Sequence, residues 1–284
     1  MLHIKVNATS ANLCVGFDTL GLALDLANDF YFEPADKFYY EGFDLEYAND
    51  NNLLKTSYEY VFKLLNKKII PLRMKIISRI PISRGLGSSS TLIVAGIMAA
   101  NYYLNNPLSN DECLKIATII EGHPDNVAPA IFGGLVASFK VGDDIKYIKY
   151  DVSNTLNFMT ISPKEMLETK KSREVLPQSY ERVDVINNLS RIVNIPYAFK
   201  NGDLGLINDL FNDKIHEPYR MNLIKNSYAF KEIAKKQNLP FCISGSGSTM
   251  LVIYKDKINV DEFRIDDSVI NLLNVGKEVE ITNE

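Results

Sequence analysis

The stretch PISRGLGSSST, residues 81–91, constrains this chain more than any other. It sets two glycines and a run of four hydroxyl residues directly before the apolar segment LIVAGIMAA, residues 92–100. That segment is apolar almost all round a helical projection, which predicts a buried helix starting after Ser88. The first N–H groups of such a helix have no intrahelical partner and carry partial positive charge. Gly85 and Gly87 leave the main chain bare enough for an anion to reach them. The stretch reads as a phosphate-wrapping loop, or as a flexible turn with a serine N-cap, and these residues alone leave both open. It is not a P-loop, because serine rather than lysine follows Gly87. It is not the dinucleotide fingerprint, whose third glycine would fall at Ser90.

Composition limits the classes of partner. With 284 residues and 46% apolar content the chain can bury one large or two ordinary cores. Its net charge of −4 is spread without basic blocks, which argues against a nucleic-acid or anionic-membrane surface but leaves room for a local anion site. No stretch reaches the roughly 20 apolar residues of a membrane span. The first residues, MLHIKVNATSANLC, lack a signal-peptide pattern. Cys14, Cys113 and Cys242 are widely separated and show no metal spacing, so reduced thiols in a cytoplasmic protein are expected.

Periodicity supplies the elements. Strands are expected at 3–6, 29–34 and 37–43, a helix over 51–68, a strand at 73–78 and the buried helix after Ser88. Ser109 and Glu112 stand at capping-box spacing, which predicts a helix from about 110. GGLVASFKV and IKYIKYDV read as paired strands. From about 153 the pattern restarts with strand NFMTIS, one long helix over 181–199, another over 221–237, strand PFCIS, a second glycine-serine turn and strand TMLVIY. Strands and helices mix without regular βαβ alternation, so the expected fold class is α+β, with a boundary near 152.

Six stretches carry a resemblance. PISRGLGSSST resembles the ATP-phosphate loop of the kinase superfamily named after galactokinase, homoserine kinase, mevalonate kinase and phosphomevalonate kinase. ISGSGSTM, residues 243–250, is similar to that superfamily's C-terminal glycine-rich loop, with Ser248 where proline is usual. NATSANLCVGFDTLGLAL, residues 7–24, resembles the N-terminal motif of homoserine kinases, with Cys14 and Val15 in place of Gly-Pro. EGHPDNVAPAIFGGL, residues 121–135, resembles their signature almost letter for letter. TKKSREVLP (169–177) and HEPYR (216–220) resemble their arginine-bearing substrate segments.

The resemblance, which runs from residue 5 to about 254, implies two α+β domains with the site between them. Residues 1–152 would be like the second domain of ribosomal protein S5, and residues 153–284 ferredoxin-like. It implies ATP with Mg²⁺ as phosphoryl donor, L-homoserine as acceptor in threonine biosynthesis, and a homodimer. ATP would be held by Pro81, Ile82, Ser83, Arg84, Gly85, Leu86, Gly87, Ser88, Ser89, Ser90 and Thr91, with Gly245, Ser246 and Gly247. The acceptor's carboxylate suits the guanidinium forks of Arg173 and Arg220, its ammonium Asp18 with Asn12, while His123 and Thr169 line the pocket. Asn126 stands where mevalonate-kinase-like relatives have an aspartate base. An amide is no base at neutral pH, so Asn126 and Arg173 would act by positioning and charge. Ser88 or Ser89 is a candidate Mg²⁺ ligand, and Glu121 another or simply a helix-end residue. His3 and His216 read as structural. Mevalonate kinase, diphosphocytidyl-methylerythritol kinase and a silent nucleotide sensor are the alternatives.

Overall fold

Leu2, Ile4 and Val6 are buried at every second position, so the alternation in HIKV makes a strand with one face in the core. In the computed structural model, which describes residues 1–283, that strand continues to form β1 (Leu2–Ala11). It pairs antiparallel with β2 (Leu20–Pro34). There follow β3 (Tyr39–Glu41), α1 (Leu53–Leu64), β4 (Leu72–Ile77) and α2 (Ser88–Tyr103). Next come α3 (Asn110–Glu121), α4 (Pro124–Phe132), β5 (Leu135–Val141) and β6 (Asp144–Tyr150). The capping box at Ser109 and Glu112 starts α3, and β5 pairs with β6. Helices α1 to α4 bury their apolar residues against β1, β2 and β4.

The second unit begins with β7 (Asn157–Ser162) and α5 (Thr169–Glu174). Then come α6 (Arg182–Ile192), α7 (Ile195–Asn201), α8 (Leu204–Leu210), α9 (Glu217–Arg220) and α10 (Ser227–Lys236). Strands β8 (Phe241–Ile243), β9 (Met250–Tyr254), β10 (Val269–Leu273) and β11 (Glu280–Asn283) end the described chain. The sheet order β10-β7-β9-β8 is antiparallel throughout, so the mixed elements give the expected α+β class. A shared apolar cluster, including Ala8, Leu13 and Leu22 with Phe199, Cys242 and Leu251, joins the two sheets.

Three expectations fail locally. The helix foreseen over 181–199 is two helices: Pro196 lies in the first turn of α7, where its missing N–H costs nothing but ends the preceding helix. The helix foreseen from 221 starts at Ser227, because a 3₁₀ turn at Met221–Leu223 and the left-handed Asn226 (φ 59°) precede it. The tail does not stay with the second unit: β11 pairs with β1, so residues 280–283 lie in the first sheet despite following 152.

Gly96 sets the approach of α2 to α1, since a Cβ there would meet the Leu54 carbonyl and crowd Ser57. Gly96→Val should therefore lower unfolding stability by about 1–3 kcal/mol in urea titrations, the usual cost of overpacking. An unchanged midpoint would contradict this account of the α1–α2 contact.

Candidate active site

Gly87 adopts a left-handed conformation (φ 67°) at the N-cap of α2, and no side chain caps that helix. The first-turn residues Ser88 and Ser89 thus reach a cavity of about 660 Å³ with their main chain uncovered. Gly85 (φ 76°) is packed against the second glycine loop, and a Cβ there would strike the Ser244 carbonyl. Ser244 Oγ donates to the Gly85 carbonyl (2.6 Å) and the Thr249 N–H to that of Arg84 (3.0 Å). The two loops, 160 residues apart in sequence from Gly85 to Gly245, are one piece of structure. Arg84 is engaged with the carbonyls of Pro163 and Lys164.

Of the loop residues singled out from sequence, Ile82, Ser83, Arg84, Gly85, Gly87, Ser88, Ser89, Gly245 and Ser246 line this cavity. The others do not. Pro81 faces a neighbouring groove beside Ser162 and Met166. Leu86 is buried, and its carbonyl accepts the Thr9 N–H. Ser90 donates to Glu121, Thr91 donates to the Ser88 carbonyl, and Gly247 packs on Ile224. Sequence spacing treats every residue of a loop alike, whereas only residues 82–85 and 87–89 of the first loop face inward.

The other half of the cavity is built by the chain after β1. Asn12 and Asp18 line it with Thr169, Arg173, Arg220, His123 and Asn126. Asn12 is buried, and both ends of its amide are used internally. Oδ1 accepts the Asp18 N–H (3.0 Å) and Nδ2 donates to the Gly245 carbonyl (2.7 Å). Asn12 therefore shapes the site by joining Asp18 to Gly245, and its Oδ1 keeps a second lone pair. Thr169 Oγ1 sits 3.4 Å from Ser246 Oγ, at the edge of the second loop.

Asp18 takes a bidentate pair from Arg173 (2.8 and 3.0 Å), and that bond raises the Arg173 pKa above its ordinary value. Arg220 is different. It is 1% exposed and has no carboxylate within ion-pair distance among the described residues. Its Nε donates to the Ser172 carbonyl (3.1 Å) and Nη1 to the Gly245 carbonyl (3.2 Å). Nη1 also donates to His216 Nδ1 (3.3 Å), which leaves the His216 proton on Nε2, donated to the Cys14 carbonyl (2.7 Å). Burial, with Arg173 nearby, pushes the Arg220 pKa down to about 10. Burial and the adjoining Arg220 also hold His216 below its ordinary value against the pull of Asp213, in keeping with a neutral ring. Phe17 lies under both guanidinium groups, 5.2 Å from Arg220 Cζ and 5.7 Å from Arg173 Cζ.

His216 reads from sequence as structural, and the structure gives it that task as a support for Arg220. Phe17 and Ser172 were not singled out at all, and no single-residue pattern marks them. Asp125 is 1% exposed and binds His123 Nδ1 (2.6 Å). Burial works to lower the His123 pKa, but the Asp125 bond and charge raise it above the ordinary value. His3 bonds Asp29, and neither residue lines the cavity. Glu121 Oε1 accepts from Ser89 and Ser90 (both 2.8 Å), so those two serines, and not Ser88, hold that carboxylate at the cavity wall.

Behind Arg220, burial and the nearby Asp213 push the Glu217 carboxyl up to about 7. A carboxyl raised in the folded state keeps a proton that the unfolded chain has released, so its contribution to stability is present at low pH. That contribution is lost as pH rises from about 4.5 through about 7. Wild type should lose on the order of 3 kcal/mol across this window relative to Glu217→Gln, read from urea unfolding at pH 5 and pH 8. Parallel profiles for the two proteins would contradict the burial of this carboxyl.

Comparison with known proteins places this geometry in a wider group. Residues 52–134 match the family model "GHMP kinases N terminal domain", and residues 197–264 match "GHMP kinases C terminal". The curated homoserine kinase of Clostridium kluyveri is 42% identical over 272 residues, covering 93% of this chain and 89% of that protein. The homoserine kinase of Clostridium botulinum (strain Kyoto / Type A2) is 40% identical, with 90% and 87% covered. Among solved structures, the homoserine kinase from Cytophaga hutchinsonii superposes with a TM-score of 0.88 at 24% identity, covering 99% of this chain and 97% of that one. A putative homoserine kinase from Listeria monocytogenes gives 0.83 at 29% identity, with both chains covered fully.

Proposed function

The chain belongs to the homoserine kinases of the GHMP kinase family, and from that premise we propose how its cavity carries out the reaction. The protein transfers the γ-phosphoryl group of ATP to the hydroxyl of homoserine, a step of threonine biosynthesis. The observation that carries the assignment of residues is Arg220. A guanidinium buried on a cavity floor without a carboxylate partner is costly unless an anion completes it. Homoserine supplies that anion. Its carboxylate would lie between Arg220 and Arg173, and its ammonium would take the Asp18 carboxylate that Arg173 now holds. The zwitterion thus replaces one internal ion pair with two matched ones.

ATP would place its phosphates against Gly85, Gly87, Ser88, Ser89 and Ser246, at the uncapped start of α2 and the facing glycine loop, while Gly245, whose N–H is held by the Ala11 carbonyl, shapes that loop. Phe43, Tyr47, Leu53 and Leu92, which also line the cavity, would give its base an apolar wall. Pro81, Leu86, Ser90, Thr91 and Gly247 would support the loops from behind. The oxygen donors Ser88 and Glu121 suit Mg²⁺, and Glu121 is already oriented by two serine hydroxyls. No group of three His, Cys, Asp or Glu side chains could ligate a metal among the described residues, which agrees with an ion held mostly by phosphates and water. Bound there, Mg²⁺ would neutralise charge on the β- and γ-phosphate oxygens.

The homoserine oxygen forms the new bond to γ-phosphorus while the bond to the ADP oxygen breaks, and the hydroxyl proton passes to a γ-phosphoryl oxygen. No side-chain base is needed, because the transition state is loose and positioning carries most of the barrier reduction. Asn126 orients the hydroxyl; Arg173 fixes the acceptor and adds positive charge. His123, held by Asp125, forms the wall of the acceptor pocket.

A cytoplasmic homodimer completes the reading. Three buried free thiols and no helix long and apolar enough to cross a membrane, among the described residues, support the compartment. Val183, Ile186, Leu189 and Val193 stand exposed at one face of α6 and its end, which supports a subunit contact there.

Purified protein with ATP and Mg²⁺ should release ADP with homoserine and not with mevalonate; the opposite pattern would reject the function. Arg220→Ala should raise the homoserine KM about 30-fold or more, the loss expected when a buried charge contact is cut, while the ATP KM stays within about threefold. Equal rises for both substrates would count against the carboxylate assignment.

A further inference from the structure

Thr9 lies in β1, 0% exposed, where three parts of the site meet. Its main-chain N–H donates to the carbonyl of Leu86 in the phosphate loop (3.1 Å). Its Oγ1 donates to Oδ1 of Asn126 at 2.8 Å. Gly87 leaves the space for this contact: a Cβ there would run into Thr9 Oγ1 and press on Asn126 Oδ1 at 3.2 Å. Asn126 is the third residue of α4 and lines the cavity, and its Nδ2 donates to no group among the described residues.

On these contacts, and resting on the reading of the cavity given above, we infer that Thr9 is a positioning residue for phosphoryl transfer: it turns the Asn126 carboxamide so that the NH₂ end, not the oxygen, faces the acceptor hydroxyl. A threonine hydroxyl has one proton to give, and here it goes to Oδ1. The remaining face of Asn126 is a donor only. A donor directed at the homoserine oxygen engages one of its lone pairs and cannot receive its proton. The hydroxyl hydrogen is then free for a γ-phosphoryl oxygen, where it ends after transfer, and another lone pair is free for phosphorus. With the carboxamide reversed, Oδ1 would draw the hydroxyl hydrogen toward the protein and away from the phosphate. Thr9 thereby selects the productive rotamer of the substrate hydroxyl without touching the substrate. It also explains a requirement at Gly87 that phosphate access alone does not: that position must clear the Thr9–Asn126 bond.

The test compares wild type, Thr9→Val, Thr9→Ser, Asn126→Ala and the Thr9→Val/Asn126→Ala double variant, with kcat, both KM values and melting temperature measured for each. Thr9→Val should lower kcat about tenfold, the worth of one net hydrogen bond, with both KM values within about threefold of wild type. Thr9→Ser should restore kcat to within about threefold. In the Asn126→Ala background Thr9→Val should cost nothing further, since the group it orients is gone. A wild-type kcat in Thr9→Val, a Thr9→Ser variant as impaired as Thr9→Val, or a full loss persisting in the double variant would each overturn the inference. If Thr9→Val does not fold, Thr9→Ala takes its place in the same comparison. Absence of homoserine turnover by the wild type would overturn the inference together with the proposed function; an active wild type with an indifferent Thr9→Val would overturn the inference alone.

Discussion

A positive charge removed from water without an ion-pair partner governs the layout of this molecule. Arg220 is held in place by the Ser172 and Gly245 carbonyls and the neutral His216 ring, none of which cancels its charge. Neutral acceptors orient a guanidinium but leave its field directed into the cavity. Arg173, 5.7 Å above the same Phe17 ring, is balanced by Asp18. The floor therefore has one balanced and one unbalanced cation, a charge pattern complementary to an α-amino acid and to few other small alcohols.

What fixes that floor beside the two glycine loops is the end of β1 and the turn after it. Thr9 holds Leu86 and Asn126, Ala11 accepts the Gly245 N–H, Asn12 ties Gly245 to Asp18, and the Cys14 carbonyl orients His216. Asn12, Leu13 and Cys14 are all left-handed (φ 66°, 32° and 59°), a conformation that costs energy for side-chain-bearing residues. The apolar cluster shared by the two sheets and the internal use of the Asn12 amide over-determine it. On the proposed reading, six residues of sequence thus set the phosphate loop, the acceptor pocket and the reacting hydroxyl in one frame, which is how bound geometry would substitute for a base.

Local signals in the sequence were enough for much of this. The capping box of α3, the buried run of α2, the paired strands β5 and β6, and both glycine loops follow from rules that act over a few residues. Arg173, Arg220 and Asn126, which all line the cavity, are marked in the sequence only by their motifs, since a lone arginine or asparagine is ordinarily solvated. The failures involve long-range partners or competing local terms. Nothing in residues 280–283 says that they pair with β1, and Pro196 outweighed a helical pattern on both sides of it. Thr9, Phe17 and His216 acquire roles only through residues 117, 156 and 4 positions away: Asn126, Arg173 and Arg220. Asn12 lines the cavity as its motif implies, but its bonds to Asp18 and Gly245 could not be read from spacing.

The central claim is that the buried guanidinium selects the acceptor by its carboxylate, and the most direct measurement removes only that group. Turnover of 3-aminopropan-1-ol, which keeps the ammonium and the hydroxyl of homoserine, should show kcat/KM lower than for homoserine by on the order of 10⁴-fold, as when a buried polar site is left unpaired. A ratio within about tenfold would mean that Arg220 and Arg173 do not read the carboxylate, and would contradict the account.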